Sequence, residues 1–316
     1  MKRLLQALVT FALIATLLWR VDWLQFSREI TRFPLWSVIV ALIAIVLGLL
    51  ISTWKWSWAL RLHELRYPFG QLWRVLCSGF FLNNFLPTAV GGDAYRVYRT
   101  LPEEGYRLRA LSAVVIERAV GFMALIMLGC FGAWLLAGEF DIARVYFNIL
   151  LAFTGAGALA VLLLERGWLH GLSERWQKLR AVNAIRHDLG LLRDHHREWL
   201  ALFAGSVLFQ ANSIGIVFLL FTAADTDASL AHAALITAAV GFAAAVPISI
   251  NGLGVMEGAL VATAVSLGLD YDKAIIVAFM RRALSLGLAM LCGLYLLQDR
   301  RIKSANATRS APPAPR

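Results

Sequence analysis

Two segments concentrate the residue types that chemistry needs. One is Asn83-Asn84-Phe85-Leu86-Pro87-Thr88-Ala89-Val90-Gly91-Gly92-Asp93-Ala94-Tyr95-Arg96, and the other is Val246-Pro247-Ile248-Ser249-Ile250-Asn251-Gly252-Leu253-Gly254-Val255-Met256-Glu257. Each has a proline, a short spacer, paired or near-paired glycines and then a carboxylate. Proline removes a backbone donor and blocks a helical hydrogen bond, and glycine permits positive φ and close backbone approach. Polar residues accompany both breaks, which favours a wet binding cleft over two merely kinked helices. A second signal is Glu117-Arg118 and Arg281-Arg282, each pair inside an otherwise apolar stretch. A charge at a helix centre costs about 2.5–3.5 kcal/mol on insertion scales, so partners are expected. Helical rise puts Glu117 and Arg281 about 8 Å apart in depth, within reach of long arginine side chains. Glu117 with Arg281 or Arg282 is therefore the expected pair, either as a structural lock or as part of a site. Guanidinium forks beside carboxylates also suit a phosphate.

Other candidates are weaker. Asp225-Thr226-Asp227 could hold a divalent cation for a glycosyl donor, but an acidic cap in a short loop is the commoner cause. His195-His196 read as solvated surface. Cys77, Cys130 and Cys292 lie in apolar stretches without metal-ligand spacing, so no metal and no disulfide framework is expected. No Walker loop, GxGxxG, HExxH or nucleophile elbow occurs, so no cofactor, no catalytic residue and no ATP hydrolysis is expected.

The elements that must position these residues follow from composition. Of 316 residues 59% are hydrophobic and 16% charged, with a mean hydropathy of +0.68. A soluble domain sits near 45–50% apolar and about 25% charged. Charge-free runs cover Phe33–Trp54, Ala119–Gly138, Val145–Leu164, Trp199–Ala224 and Ala228–Met256. About 20 apolar residues cross a ~30 Å hydrocarbon core as a helix. The fold class is therefore all-α, a polytopic helical membrane protein. Full spans are expected at 4–21, 33–54, 110–137, 145–164, 199–222 and 274–297. The Pro/Gly-broken stretches 70–92 and 228–268 are expected to be re-entrant. Broken helices at membrane depth persist only where protein buries them or water reaches them, and a pair of them points to a midplane site between structural repeats.

Charge counting orients the chain. With both termini inside, the cytoplasmic segments hold 22 of the 30 cations against 10 carboxylates, and the external ones hold five cations against eight carboxylates. That is the positive-inside pattern. The pI near 10 then reflects loops facing anionic lipid, and nucleic acid is not an expected partner. The membrane domain is expected over 1–298, with an amphipathic cytoplasmic insertion at 165–198 and a disordered tail at 299–316. Trp54, Trp56 and Trp58, with Lys55 and Arg61, are expected to form an interfacial belt.

Taken in order, Asn84-x-x-Pro87-x-x-x-Gly91-Gly92-Asp93-x-x-Arg96, Glu117-Arg118, and Pro247 through Asn251-Gly252-x-Gly254-x-x-Glu257 resemble a known family. It is the lysylphosphatidylglycerol synthase transmembrane-region, or flippase-like, family, and the resemblance spans about residues 5–298. In its bifunctional members this domain translocates an aminoacylated phospholipid made by a following cytosolic domain. That synthase domain is not expected here, and neither is aminoacyl transfer. The resemblance implies an inner-membrane lipid translocase without enzymatic activity. Its partner would be a phospholipid, aminoacyl-phospholipid, hopanoid or polyprenyl-linked glycan, alongside a second copy or a lipid-synthesis enzyme. Arg96, Arg118, Arg281 and Arg282 are the expected phosphate partners. Asp93, Glu117 and Glu257 would pair them at rest or meet a headgroup amine. A lipid-linked glycosyltransferase and a non-transporting scaffold are the rival readings.

The topology is testable by cysteine labelling at Ser173 and Ser229 in a cysteine-free background. Ser229 should label from outside intact cells and Ser173 only after permeabilisation; external labelling of Ser173 would invert the assignment.

Overall fold

The computed structural model describes residues 10–12, 15–17, 19, 21, 23–86, 91–100, 107–165, 195–246 and 248–309. The described residues are helical with no strand. The helices are α1 (Trp23–Arg32), α2 (Leu35–Leu62), α3 (Phe69–Phe85), α4 (Gly91–Thr100), α5 (Arg107–Leu136) and α6 (Asp141–Glu165). Then follow α7 (His196–Ala223), α8 (Leu230–Ala245), a 3-10 turn at Ile250–Gly252, α9 (Val255–Ser266) and α10 (Tyr271–Arg309). Pro34 and Pro68 occupy the N-cap positions of α2 and α3, where a missing N–H costs nothing. Ser229 caps α8, accepting from the His232 backbone N–H (3.4 Å) while His232 Nδ1 accepts from Ser229 N–H (3.2 Å).

Among the described residues, four helices are long and apolar enough to span a membrane: α2, 109–136 of α5, α7, and 271–297 of α10. The 25-residue α6 covers the expected span at 145–164. The expected span at 4–21 falls largely outside the described residues, as does the expected insertion at 165–198, of which 166–194 are not described. Two boundaries differ from expectation. α2 continues past Trp54 to Leu62, because Lys55 finds a carboxylate inside the bundle and need not end the helix. The α10 backbone stays helical to Arg309, beyond the expected start of a disordered tail at 299. Its Lys, Arg and Ala residues are good helix formers, and no proline intervenes before Pro312.

Both broken segments fold as hairpins. At 1.5 Å per residue α3 is about 25 Å long and α4 about 15 Å, so neither crosses a ~30 Å core alone. Gly79 lies beside Gly92 and Arg96, and Asn83 Oδ1 accepts from Gly92 N–H at 2.8 Å, so α4 returns along α3. In the second half α8 turns back through the 3-10 element into α9, which packs on it. The hairpins enter from opposite ends. α7 runs antiparallel to α2: Asn212 Nδ2 donates to Ala44 O (2.9 Å), and Gly205, earlier on α7, meets Trp54 and Lys55, later on α2. The first hairpin therefore leaves from the Leu62 end of α2, and the second from the Leu35 end.

The two halves share one order, span–hairpin–span, in opposite orientation: α2, α3/α4, α5 and then α7, α8/α9, α10. Each closing span packs on the other half's hairpin through a small residue. Gly129 and Gly132 of α5 face Ala238 and Ala234 of α8, and Gly293 of α10 faces Phe81 of α3. Without water to drive association, close van der Waals approach of small residues does this work. Two apolar clusters result. The larger surrounds α7, α8 and α10 with Leu220, Phe221, Leu235 and Ile275 fully buried. The smaller joins α2, α3 and α5 around Trp56.

Gly92 shows how little room the first hairpin has. A methyl group there would run into the Gly79 carbonyl oxygen and the Asn83 amide, whereas one at Gly258 meets nothing within 4 Å. Gly92→Ala should therefore destabilise by about 1–3 kcal/mol through overpacking. Gly258→Ala should be neutral or stabilising by up to about 1 kcal/mol, since alanine favours helix. Thermal melting in detergent compares the two.

Candidate functional site

The first hairpin and its neighbours hold a chain of alternating charge. Glu117, on α5 and 3% exposed, meets Lys55 Nζ of α2 at 3.3 Å and Arg96 of α4 through a short ion pair. Arg96 also reaches Asp93 Oδ1 at 3.2 Å, and its guanidinium lies over the Trp56 ring, 4.2 Å from the centroid. Asp93 in turn takes two bonds from Arg118, at 2.9 Å from Nη2 and 3.2 Å from Nε. Three cations and two carboxylates are thereby threaded as Lys55–Glu117–Arg96–Asp93–Arg118 across α2, α4 and α5. Alternation matters here, because a buried charge left without a partner costs several kcal/mol.

The second hairpin turns through backbone that helices do not use. Asn251, Gly252 and Gly254 have φ of 52°, 67° and 80°. Asparagine and glycine are the residues that tolerate this region. Just past the turn Glu257, in the first turn of α9, accepts the Gly254 N–H at 2.8 Å and the Arg282 Nε of α10 at 2.5 Å. Its carboxylate closes the helix N-terminus and binds the next span in one step.

The tips meet at the middle of the bundle. Asn251 Nδ2 donates to the Asn84 carbonyl at 3.1 Å, joining the second turn to the end of α3. Beside this contact lies a cavity of about 360 Å³ lined by side chains from both halves. Asp93, Arg96 and Arg118 face it from the first half, Glu257, Arg281 and Arg282 from the second, with Asn84, Asn212 and Asn251 between them.

The residues singled out from sequence thus converge, with particulars changed. Asn84, Gly91, Gly92, Asp93, Arg96, Glu117 and Arg118 lie on or behind the first hairpin, and Asn251, Gly252, Gly254, Glu257, Arg281 and Arg282 at the second. Pro87 and Pro247 fall outside the described residues. Glu117 does not pair with Arg281 or Arg282 as expected. Lys55 and Arg96 take it instead, and Arg282 belongs to Glu257. Depth along two helices could not reveal that a third and a fourth helix stand closer. Lys55 and Trp56 are likewise not an interfacial belt: both are buried, Trp56 completely. The available signal was the lone lysine at the end of an apolar run, answered by a glutamate in another run.

A second signal was missed. Asp93 to Arg118 and Glu257 to Arg282 are both 25 residues apart, and each pair joins a hairpin's returning helix to the span that follows. The same interval that carries Asp93 onto Glu257 carries Glu117-Arg118 onto Arg281-Arg282. The halves therefore repeat the Asp93–Arg118 pair as well as the topology, with Arg281 in place of Glu117 and with Leu219 and Leu260 in place of Lys55 and Arg96. The Asp225-x-Asp227 pair lies in the α7–α8 loop, away from the cavity lining, where Lys273 Nζ donates to the Asp225 carbonyl.

Partner identity sets the expected mutant signs. Glu117→Gln leaves Lys55 without a carboxylate and Arg96 with only the Asp93 it shares with Arg118, and should cost about 3–5 kcal/mol. Adding Lys55→Met should recover part of that loss, while adding Arg281→Met should recover none. Detergent melting of the single and double variants checks the pairing.

Comparison with curated proteins returns no match. A family model does match, over residues 3–293, and its description is lysylphosphatidylglycerol synthase TM region. The match spans both hairpins and every charge of the cavity, so the chain belongs to the lysylphosphatidylglycerol synthase TM region family.

Proposed function

We propose that this integral membrane protein moves a lipid headgroup between leaflets through the cavity where the two hairpin tips meet. The observation that carries the reading is the cavity itself, which gathers four arginines and two carboxylates at the contact of two hairpins entering from opposite ends, among largely apolar helices. Midplane sites between inverted halves are the common plan of transporters that alternate access. A volume of about 360 Å³ suits a headgroup and not two acyl chains, so the chains would stay in the bilayer while the headgroup passes. Arg96, Arg118, Arg281 and Arg282 would take the phosphate, because planar forks match its oxygens.

Motion would require the tips to part. The Asn251–Asn84 bond, which joins the tips among the described residues, is weak enough to break and re-form during a cycle, worth about 0.5–1.5 kcal/mol. The charge chain on the first hairpin and the Glu257–Arg282 pair on the second keep each hairpin fixed to its own following span. Each half would then move as one body.

Proteoliposomes carrying a headgroup-labelled phosphatidylglycerol test this. With protein present, the inner-leaflet label should become accessible to a membrane-impermeant quencher. Arg118→Gln should slow that exchange about tenfold, the equivalent of one lost charge-assisted contact. No exchange by folded protein with any phospholipid offered would remove the proposal in favour of a non-transporting scaffold.

A further inference from the structure

The cavity holds more positive charge than its own carboxylates answer. Four guanidiniums, Arg96, Arg118, Arg281 and Arg282, line it against two carboxylates, Asp93 and Glu257. Behind the wall Lys55 and Glu117 cancel. Among the described residues the cavity therefore has a net charge of +2. Residues 87–90 and 247, outside the described residues, are Pro, Thr, Ala, Val and Pro and carry no charge.

The excess has a location. Arg282 spends its Nε on Glu257, and Arg118 spends two donors on Asp93. Arg281 lines the cavity with no ion pair or hydrogen bond among the described residues. It also occupies the repeat position that Glu117 holds in the first half. Where the first half carries a carboxylate that completes its own charge chain, the second carries a guanidinium left open to the cavity. A permanently charged group in an apolar bundle calls for a counter-charge, and its fork geometry matches phosphate oxygens.

We infer that the missing partner is a phosphate-bearing anion of two negative charges, a phosphomonoester or diphosphate headgroup, with Arg281 as its direct contact. This rests on the reading of the cavity as a headgroup site. An aminoacylated headgroup brings cations of its own into a cavity already positive, so it is discriminated against.

The test is binding to the purified full-length chain in neutral detergent, followed by native mass spectrometry and thermal shift. The probes are phosphatidic acid, phosphatidylglycerol, phosphatidylethanolamine and lysyl-phosphatidylglycerol, with inorganic pyrophosphate as a soluble arm. Phosphatidic acid should bind about tenfold more tightly than phosphatidylglycerol, with the lysylated lipid weakest. Arg281→Gln should erase that preference without lowering the melting temperature of the unliganded protein, and Arg281→Lys should keep part of it. Displacement of phosphatidic acid by pyrophosphate supports the phosphate site and assigns it a soluble source. Retention of the lipid under pyrophosphate supports the lipid source. Lysyl-phosphatidylglycerol binding as tightly as phosphatidic acid, or an unchanged preference in Arg281→Gln, overturns the inference. Loss of leaflet exchange with this binding order intact would count against transport alone.

Discussion

A carboxylate buried inside an apolar bundle needs neighbours, and the first half of this protein is arranged around that requirement. Glu117 draws Lys55 from α2 and Arg96 from α4, and Arg96 draws Asp93, which holds Arg118. Satisfying one charge therefore fixes three helices relative to one another. It also explains why α4 runs back along α3, since only a returning helix can bring Arg96 to Glu117 while Gly92 rests against Gly79. Hydrophobic matching could not do this, because lipid is as apolar as the helix faces it would have to distinguish.

The second half meets the same demand with fewer groups. Glu257 caps the helix that follows the turn and pairs with Arg282 on the next span, so local backbone satisfaction and interhelical locking share one side chain. Left-handed backbone at Asn251, Gly252 and Gly254 makes the reversal tight enough for Asn251 to reach Asn84. One half is thereby charge-rich and self-contained, and the other leaves Arg281 facing the cavity. Two halves that share a topology and one carboxylate–arginine pair, but place Glu117 and Arg281 at equivalent positions, give a site with a sign, which an exact repeat would not.

The interface between halves is different in kind. Small-residue contacts, Gly129 and Gly132 against α8 and Gly293 against Phe81, bring backbones close without directional bonds. Hydrogen bonds cross it as well, from Asn212 to the Ala44 carbonyl, from Gln210 to the Gly121 carbonyl, from Trp73 to Tyr295 and from Asn251 to Asn84, but among the described residues the ion pairs stay within each half. Van der Waals contacts and single hydrogen bonds re-form in several registers and buried ion pairs do not, which is the property the proposed movement of the halves would use.

Composition and charge-free runs alone settle that the chain is helical and membrane-spanning, because backbone in hydrocarbon must satisfy its own hydrogen bonds and only helices do so within one segment. The re-entrant character of 70–92 and 228–268 was legible too. Proline and glycine break the helices, and the loop charges are consistent only if each segment returns to its own side. The ionisable residues worth attention, Asp93, Arg96, Glu117, Arg118, Glu257, Arg281 and Arg282, stood out because charge in apolar sequence is costly. Which of them pair was not legible. Glu117 chose Lys55 and Arg96 over Arg281 and Arg282 because helix neighbours are set by packing across the bundle, through glycines and alanines that carry no partner label in sequence. Depth along a helix is a one-dimensional quantity, and partner choice needs the other two dimensions.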